Sequence, residues 1–586
     1  NYKANFMDYK FSKDYQKLFW LIPSLLAFCC FINTLGFDFV YDDLFHVSKA
    51  APTLEDWSVA NLKLLFTSDF WTFLTKHLSE VERSDSTYYR PILSLVLMVN
   101  YLYAGVSPWK WHLTSILLHV LSTGLAYQVV LASLRQINIF KTESQLNWLA
   151  LISASIFAIH PVQTESVAWV SAYANALLAI LIFTSLLAYL KARTSQNNKK
   201  SFIGWLLISV AFYSLALFTK EVAMLLGLIL FCYEILLFDK ELSWPKRLAK
   251  DLLMGLPFLL VTTGYFVLRI KIIGAINPGV LNPDFPEITL ISRSVQIFTL
   301  PTIILTYIKN LIFPFSLTPL YPIKCIYGPG MENFYFPLLV LLLLVTGVVI
   351  LSWRSSVSRI GFIWLLVPLL PVLDLRAFKP EDLMHDRYLY FSLIGAGILF
   401  GQAIQWLNIR LTNNKQDGKE ADVPLRLSLL VVIGVYFVIL MATTIKQNYV
   451  WADEWQLWTA SKQGFPESCM ANKELGRLSA IAKLDSQAIA YYEQAKLTCP
   501  NSAEVYLKLG GLYGRTGNLS QAEKEFQRVI VLSPYPFLQA EGYFNLGLVY
   551  QLKRDKTQAI LYYQKSLELD PKSERTAEAL QRIKTP

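Results

Sequence analysis

The chain of 586 residues is 54% hydrophobic and 14% aromatic but only 16% charged. A soluble globular domain carries ~25% charged residues, so this composition excludes a soluble protein and calls for lipid as the solvent of most of the chain. The net charge of +10 is no nucleic-acid footprint, because Lys and Arg gather at the ends of apolar runs and not on a basic helix interleaved with aromatics; six cysteines exclude a disulfide scaffold.

In chain order, apolar segments approaching the ~20 residues that cross hydrocarbon as a helix fall at 17–36, 111–134, 146–160, 167–190, 202–218, 222–238, 252–272, 335–353, 360–375, 388–407 and 427–445. The first is expected to be a genuine span and not a cleavable leader, because no small-residue cleavage site follows it. Cys29, Cys30 and Cys232 lie inside such runs and read as packing residues. Basic connectors set the orientation. Lys3, Lys10, Lys13 and Lys17 place the N-terminus in the cytoplasm. Arg135 and Lys141, the run KARTSQNNKK (191–200), Lys240 to Lys250, Arg354 with Arg359, and Arg410 to Arg426 then fall on that same side. These agree only if residues 37–110 and 273–334 lie outside, so the apolar stretches 91–105 and 291–313 are expected to be interfacial or re-entrant helices. The expectation is an all-α, polytopic helical membrane protein of about eleven spans in residues 1–446, then a linker over 447–468 and a soluble repeat domain over 469–586.

That last domain repeats with a period near 34 residues, the tetratricopeptide pattern. Tyr506, Leu509, Gly510, Tyr513, Ala522, Phe526 and Pro534 hold the signature positions in one copy, and Tyr543, Leu546, Gly547, Tyr550, Ala559, Tyr563 and Pro571 in the next. Leu475, Gly476, Ala488, Tyr492, Ala495 and Pro500 mark a weaker first copy, giving three repeats of an α-solenoid. An odd number of spans puts them on the non-cytoplasmic side. Cys469 and Cys499 stand at the start and finish of the first repeat, so they either bridge in an oxidising compartment or are two unrelated small core residues. The three tryptophans of WADEWQLWTA (451–460) suit the membrane interface and place the array close over the outer face.

Polar groups at the outer ends of spans carry the functional signal. They are FDFVYDD (37–43) with Asp42 and Asp43, YYRP (88–91) with Arg90, HPVQTESVAW (160–169) with His160 and Glu165, FTKE (218–221) with Lys220 and Glu221, and HDRYLY (385–390) with His385, Asp386 and Arg387. Each alone has a plain reading: two acids solvating a loop, a histidine capping a helix, an interfacial ion pair. Together they bring acids and cations to one face of the bilayer, where ionisable groups default to a functional role. The chemistry they suit is transfer from a lipid-phosphate donor, with an acid activating a hydroxyl and cations holding the leaving phosphate.

With these motifs in this order, the chain resembles the membrane-plus-tetratricopeptide (TMTC-type) O-mannosyltransferases of the GT-C glycosyltransferase superfamily. The resemblance rests on V-x-DD after the first span, RP before an apolar stretch, HPVQTESVAW, the TKE turn, the acidic-Arg-x-L-Y start of a late span, and the C-terminal repeats. It departs in having Asp386 where that family more often has Glu, and in having only three repeats. The resemblance implies a GT-C-like fold, a polyprenyl- or dolichyl-phosphate sugar donor, inversion at the sugar carbon, and a protein acceptor held by the repeats. Asp42 or Asp43 would be the base. Glu165 and His160 would be a second acidic and orienting pair, or ligands if a divalent metal is used. Lys220 and Arg387 would hold the phosphate beside Glu221 and His385, Arg90 would position the first loop, and Arg293 would be a further phosphate contact. A bacterial inner membrane with periplasmic repeats, or an endoplasmic-reticulum membrane with lumenal ones, would suit equally. Two other readings share these residues: a GT-C transferase acting on a glycolipid or cell-wall polymer, and a non-enzymatic membrane scaffold displaying the repeats.

Overall fold

The computed structural model describes residues 18–78, 88–137, 142–238, 243–274, 291–331, 333–375, 378, 381–412 and 427–585. Lys3 to Lys17, Lys141, Lys240 and Lys415 to Arg426, expected to mark the cytoplasmic side, lie outside these. The protein is all-α, with no strand among the described residues. The membrane part comprises α1 (Leu21–Phe31), α2 (Pro91–Ala104), α3 (Pro108–Arg135), α4 (Glu143–Ile159), α5 (Ala174–Thr194), α6 (Lys199–Thr219), α7 (Leu225–Leu237), α8 (Trp244–Ile273), α9 (Arg293–Ile312), α10 (Tyr335–Arg354), α11 (Ser356–Leu366), α12 (Ser392–Thr412) and α13 (Leu427–Asn448). Pro91 and Pro108 open α2 and α3 at first-turn positions, where the missing N–H costs nothing.

Among the described residues nine helices are long and apolar enough to cross a membrane, or ten if the bent pair Glu143–Ile159 and Pro161–Val167 is one span. Two of the eleven expected spans fall short for a local reason. The first changes at Ile32 into a 3₁₀ helix that ends at Gly36, leaving the short apolar stretch Leu21–Gly36, and the polar Lys220–Glu221 pair delays α7 until Leu225. Conversely Arg293–Ile312, expected to be interfacial, has the length and composition of a span. Its chain then returns alongside it without helix. The Ile326 N–H donates to Thr299 at 2.9 Å and Thr302 donates to the Asn333 carbonyl at 2.8 Å. Irregular backbone of this kind is tolerated at membrane depth only where protein or water covers it.

The core of the bundle is where α3, α4, α5, α11 and α12 meet. Glycines allow the closest approaches: a Cβ on Gly397 of α12 would stand 2.8 Å from the Ser153 carbonyl oxygen of α4, and one on Gly361 of α11 would stand 2.8 Å from Leu399. Small residues at such contacts let helix backbones touch, which replaces the hydrophobic drive that lipid removes.

The last span runs into a 3₁₀ turn (Tyr449–Trp451) and a further helix, α14 (Glu454–Gly464), so the segment expected as a linker is largely helical. The antiparallel pairs α15 (Cys469–Ile481) and α16 (Asp485–Thr498), α17 (Ala503–Arg515) and α18 (Leu519–Leu532), and α19 (Pro536–Leu552) and α20 (Lys556–Leu569) follow, closed by α21 (Glu574–Lys584). In each pair the signature glycine lies under the aromatic ring of its partner helix. A Cβ would meet Tyr492 at 2.8 Å from Gly476, Phe526 at 2.7 Å from Gly510, and Tyr563 at 2.5 Å from Gly547. Cys469 and Cys499 form a disulfide with a Cα separation of 5.8 Å, which overturns the alternative of two unrelated core residues.

The repeats are docked on the membrane part. Trp451, Leu457, Trp458, Phe465 and Leu475 share one buried cluster with Val40, Trp169 and Leu320. The Asp38 N–H donates to the Ala452 carbonyl at 3.0 Å, and Glu381 accepts from the Cys469 and Met470 N–H groups that open α15.

Candidate active site

The first loop begins where α1 unwinds. Tyr41 is held at φ +51°, a left-handed conformation that costs a residue other than glycine about 1–3 kcal/mol and persists only where its surroundings impose it. That turn separates the fates of the next two side chains. Asp43 is fully buried; one carboxylate oxygen accepts from the Ser171 N–H at 2.6 Å and the Ser171 hydroxyl at 2.5 Å, the other from the Val40 N–H at 3.2 Å. Burial raises its pKa above the ordinary carboxylate value, against the pull of those donors. Asp42 stays half-buried and starts the following helical turn, its carbonyl accepting from the Phe45 and His46 N–H groups.

The turns after α4 and before α12 meet. Glu165 accepts from the Arg387 backbone N–H at 2.9 Å and from the Arg387 guanidinium, with the His385 Nδ1 at 3.4 Å. The other nitrogen of His385 lies 3.3 Å from Asp382. Asp386 turns away, its oxygens 2.7 and 2.8 Å from the Tyr321 hydroxyl and one of them 3.0 Å from the Asn310 amide; burial raises its pKa.

The FTKE turn splits its two charges. Glu221 is gripped by the Arg90 fork at 2.7 and 3.1 Å, and Arg90 lies over the Tyr88 ring at 4.0 Å. Lys220 donates to the Asn175 side-chain oxygen at 2.7 Å. Burial, then the neighbouring Arg90 and Arg387, lower the Lys220 pKa. Lys220, Asn175, Arg387 and Tyr388 border one cleft, whose remaining wall is apolar: Ile182, Leu225, Leu226, Ile229, Trp364 and Phe391. Two cations and an amide beside a greasy wall are the complement of an anionic head on an apolar chain.

The structure thus brings Glu165, Lys220, His385 and Arg387 together, with Arg90 and Glu221 beside them. Two expected site residues stand apart. The Nδ1 of His160 accepts from the Val162 N–H and its Nε2 lies 3.1 Å from the Leu311 carbonyl, so the ring is fully committed to backbone and joins two segments. Arg293 is exposed at the first position of α9, 17 residues and roughly 25 Å along the helix axis from Asn310. The optional metal pair of His160 and Glu165 does not form either. Glu165 faces Arg387 and His385, and among the described residues no group of three or more His, Cys, Asp and Glu side chains comes together as a metal site. Sequence reading missed Asp382, Asn175, Ser171 and Tyr41. Tyr41 lay inside the FDFVYDD motif and Asp382 three residues before HDRYLY, so these two carried a signal; Asn175 and Ser171 carried none.

Tetratricopeptide repeat models match residues 503–536 and 540–573. The curated Protein O-mannosyl-transferase tmtc2 of Xenopus laevis is 29% identical over 301 residues, 48% of this chain and 33% of that protein. Protein O-mannosyl-transferase TMTC3 of Mus musculus is 24% identical over 545 residues, 88% of this chain and 54% of that protein. The chain is similar to the TMTC-type protein O-mannosyl-transferases. It matches about a third of the length of the tmtc2 relatives. Among solved structures, ArnT from Cupriavidus metallidurans bound to undecaprenyl phosphate matches at 15% identity and TM-score 0.35, over 80% of this chain and 81% of that one. The Archaeoglobus fulgidus oligosaccharyltransferase tethered with an acceptor peptide matches at 14% identity and TM-score 0.38, over 82% of this chain and 59% of that one.

Proposed function

We propose that this chain transfers mannose from a polyprenyl-phosphate donor to a Ser or Thr hydroxyl of a protein, with inversion, on the non-cytoplasmic face of its membrane. The observation that carries this reading is the cleft in which Lys220 and Arg387 border an apolar wall, with Trp169 lying between Arg387 and Tyr41, the residue before Asp42. The relatives' names supply the sugar and the acceptor class. Asp42 is the base: it takes the proton of the acceptor hydroxyl as that oxygen attacks the sugar carbon from the side opposite the phosphate. The bond to phosphate breaks, and Lys220 and Arg387 hold the negative charge that develops there. Glu165 fixes the Arg387 fork, and Arg90 with Glu221 ties the first loop to the FTKE turn. Asp43 has a different task, fastening the loop to Ser171. The alternating basic connectors favour outer placement of the site and repeats, and a disulfide in the first repeat suits an oxidising compartment.

The test is sugar transfer by purified, reconstituted protein supplied with mannosyl-phosphate-polyprenol and either peptide or lipid acceptors. Mannosylated peptide is the expected product. Transfer to lipid alone would replace the protein acceptor with a glycolipid, and an intact donor with every acceptor would leave the scaffold reading.

A further inference from the structure

The helix that joins the last span to the repeats reaches the catalytic loop itself. Trp458 of α14 meets the Tyr41 ring edge-on at 5.5 Å, and Tyr41 packs on Trp169 at 6.0 Å. Trp169 in turn stacks on Trp451 at 5.4 Å and 14°, and carries the Arg387 guanidinium 5.2 Å from its centre. One run of aromatic rings therefore links the tail to both halves of the site: to Asp42 through its neighbour Tyr41, and to the phosphate-side cation through Trp169. Tyr41 is also where the backbone adopts its left-handed turn, a conformation that surrounding contacts must impose. Trp458 is 3% exposed and Trp169 6%, and both indole N–H groups are buried without a hydrogen-bond partner among the described residues. Ring packing, not hydrogen bonding, holds this bridge.

We infer that Trp458 is a positioning residue for the reaction: through Tyr41 it holds the turn that presents Asp42, and through Trp169 it steadies Arg387, so the tail completes the catalytic unit as well as meeting the acceptor. This rests on the function proposed above, and it goes beyond the acceptor-holding role that the resemblance implies for the repeats. Because the contact with Tyr41 is made ring to ring, phenylalanine should replace Trp458 with little loss, whereas alanine should not.

The experiment uses the full chain with Trp458→Ala, Trp458→Phe and Tyr41→Gly, the last accepting the backbone turn but removing the ring. Trp458→Ala and Tyr41→Gly should lower kcat roughly 10²-fold, as a catalytic group displaced by about 1 Å does, with donor and acceptor KM within about threefold of the parent. Trp458→Phe should stay within about threefold in kcat. A second readout needs no activity: amide hydrogen exchange at Asp43, Phe45 and His46, whose N–H groups close the turn, should speed at least tenfold in Trp458→Ala. Exchange within α17 and α18 should stay unchanged, which excludes loss of the tail fold. The inference is overturned if Trp458→Ala leaves both kcat and loop exchange at parental values, or if Trp458→Phe is as damaging as alanine. If the parent transfers no sugar yet loop exchange responds as described, the positioning contact stands and the proposed reaction falls.

Discussion

Two adjacent carboxylates share the first loop, and their environments separate what each should do when replaced by asparagine. Asp43→Asn can still turn one oxygen toward the two Ser171 donors, but its amide then faces the Val40 N–H, donor against donor. Losing that bond inside a fully buried site costs about 1–3 kcal/mol, so the variant should melt at lower temperature, with only a modest loss of turnover in the fraction that remains folded. Asp42→Asn removes the proposed base and should lower turnover on the order of 10²–10⁴-fold, with melting near that of the parent because the side chain is half-exposed. Thermal unfolding in detergent and single-turnover mannosyl transfer measure the two effects independently. The pH response adds a sign. Burial raises the Asp43 pKa above its ordinary 3.8, so the folded state holds this proton more tightly than the unfolded one. Asp43 therefore withdraws stability as pH rises through the window between the ordinary and the raised value, and Asp43→Asn should flatten that part of the profile. Asp43→Asn with normal melting and abolished turnover, beside a fully active Asp42→Asn, would refute the division of labour.

Arg387→Ala and Lys220→Ala should raise the KM for donor more than that for acceptor, with Arg387→Lys restoring only part, since a single ammonium cannot bond Glu165 and a phosphate through separate, fixed N–H groups as a guanidinium can; equal changes for both substrates would assign the two residues to the fold instead. Because its pKa is lowered, Lys220 should lose its charge at a pH below the ordinary lysine range, so donor KM should climb with pH in the parent and hold level in Lys220→Arg. A reporter fused after residue 446 should lie outside and one inserted within 410–424 inside. The Cys469–Cys499 bridge spans 30 residues and should contribute about 3–4 kcal/mol to the stability of the first repeat, read as a fall in its melting on reduction.

What could be read from the sequence follows the range of the interaction. Hydropathy and basic ends are local, so most spans could be placed within a few residues, and the repeat period recurs within 34. The five polar motifs were visible because charges beside apolar runs are conspicuous. Their partners were not. Arg90 meets Glu221 across 131 positions and Arg387 meets Glu165 across 222, and nothing in TKE says that its glutamate and lysine face different neighbours. His160 looked functional for the same reason that it is structural: a polar ring at a helix end must find partners, and here they are backbone groups. Trp458 was hidden by its plain explanation, since tryptophans after a last span usually mark the interface, and the left-handed turn at Tyr41 has no glycine to announce it.

Gly397 of α12 lies against the Ser153 backbone of α4 with no room for a methyl group between them. Arg387 precedes α12 and Glu165 follows α4, so the gap between this cation and its carboxylate is gauged by two peptide units, not by side chains that could change rotamer. A bilayer of different thickness can tilt the two helices as one body but cannot stretch the distance between them. The charged pair should therefore keep its geometry across host membranes whose lipid composition differs widely.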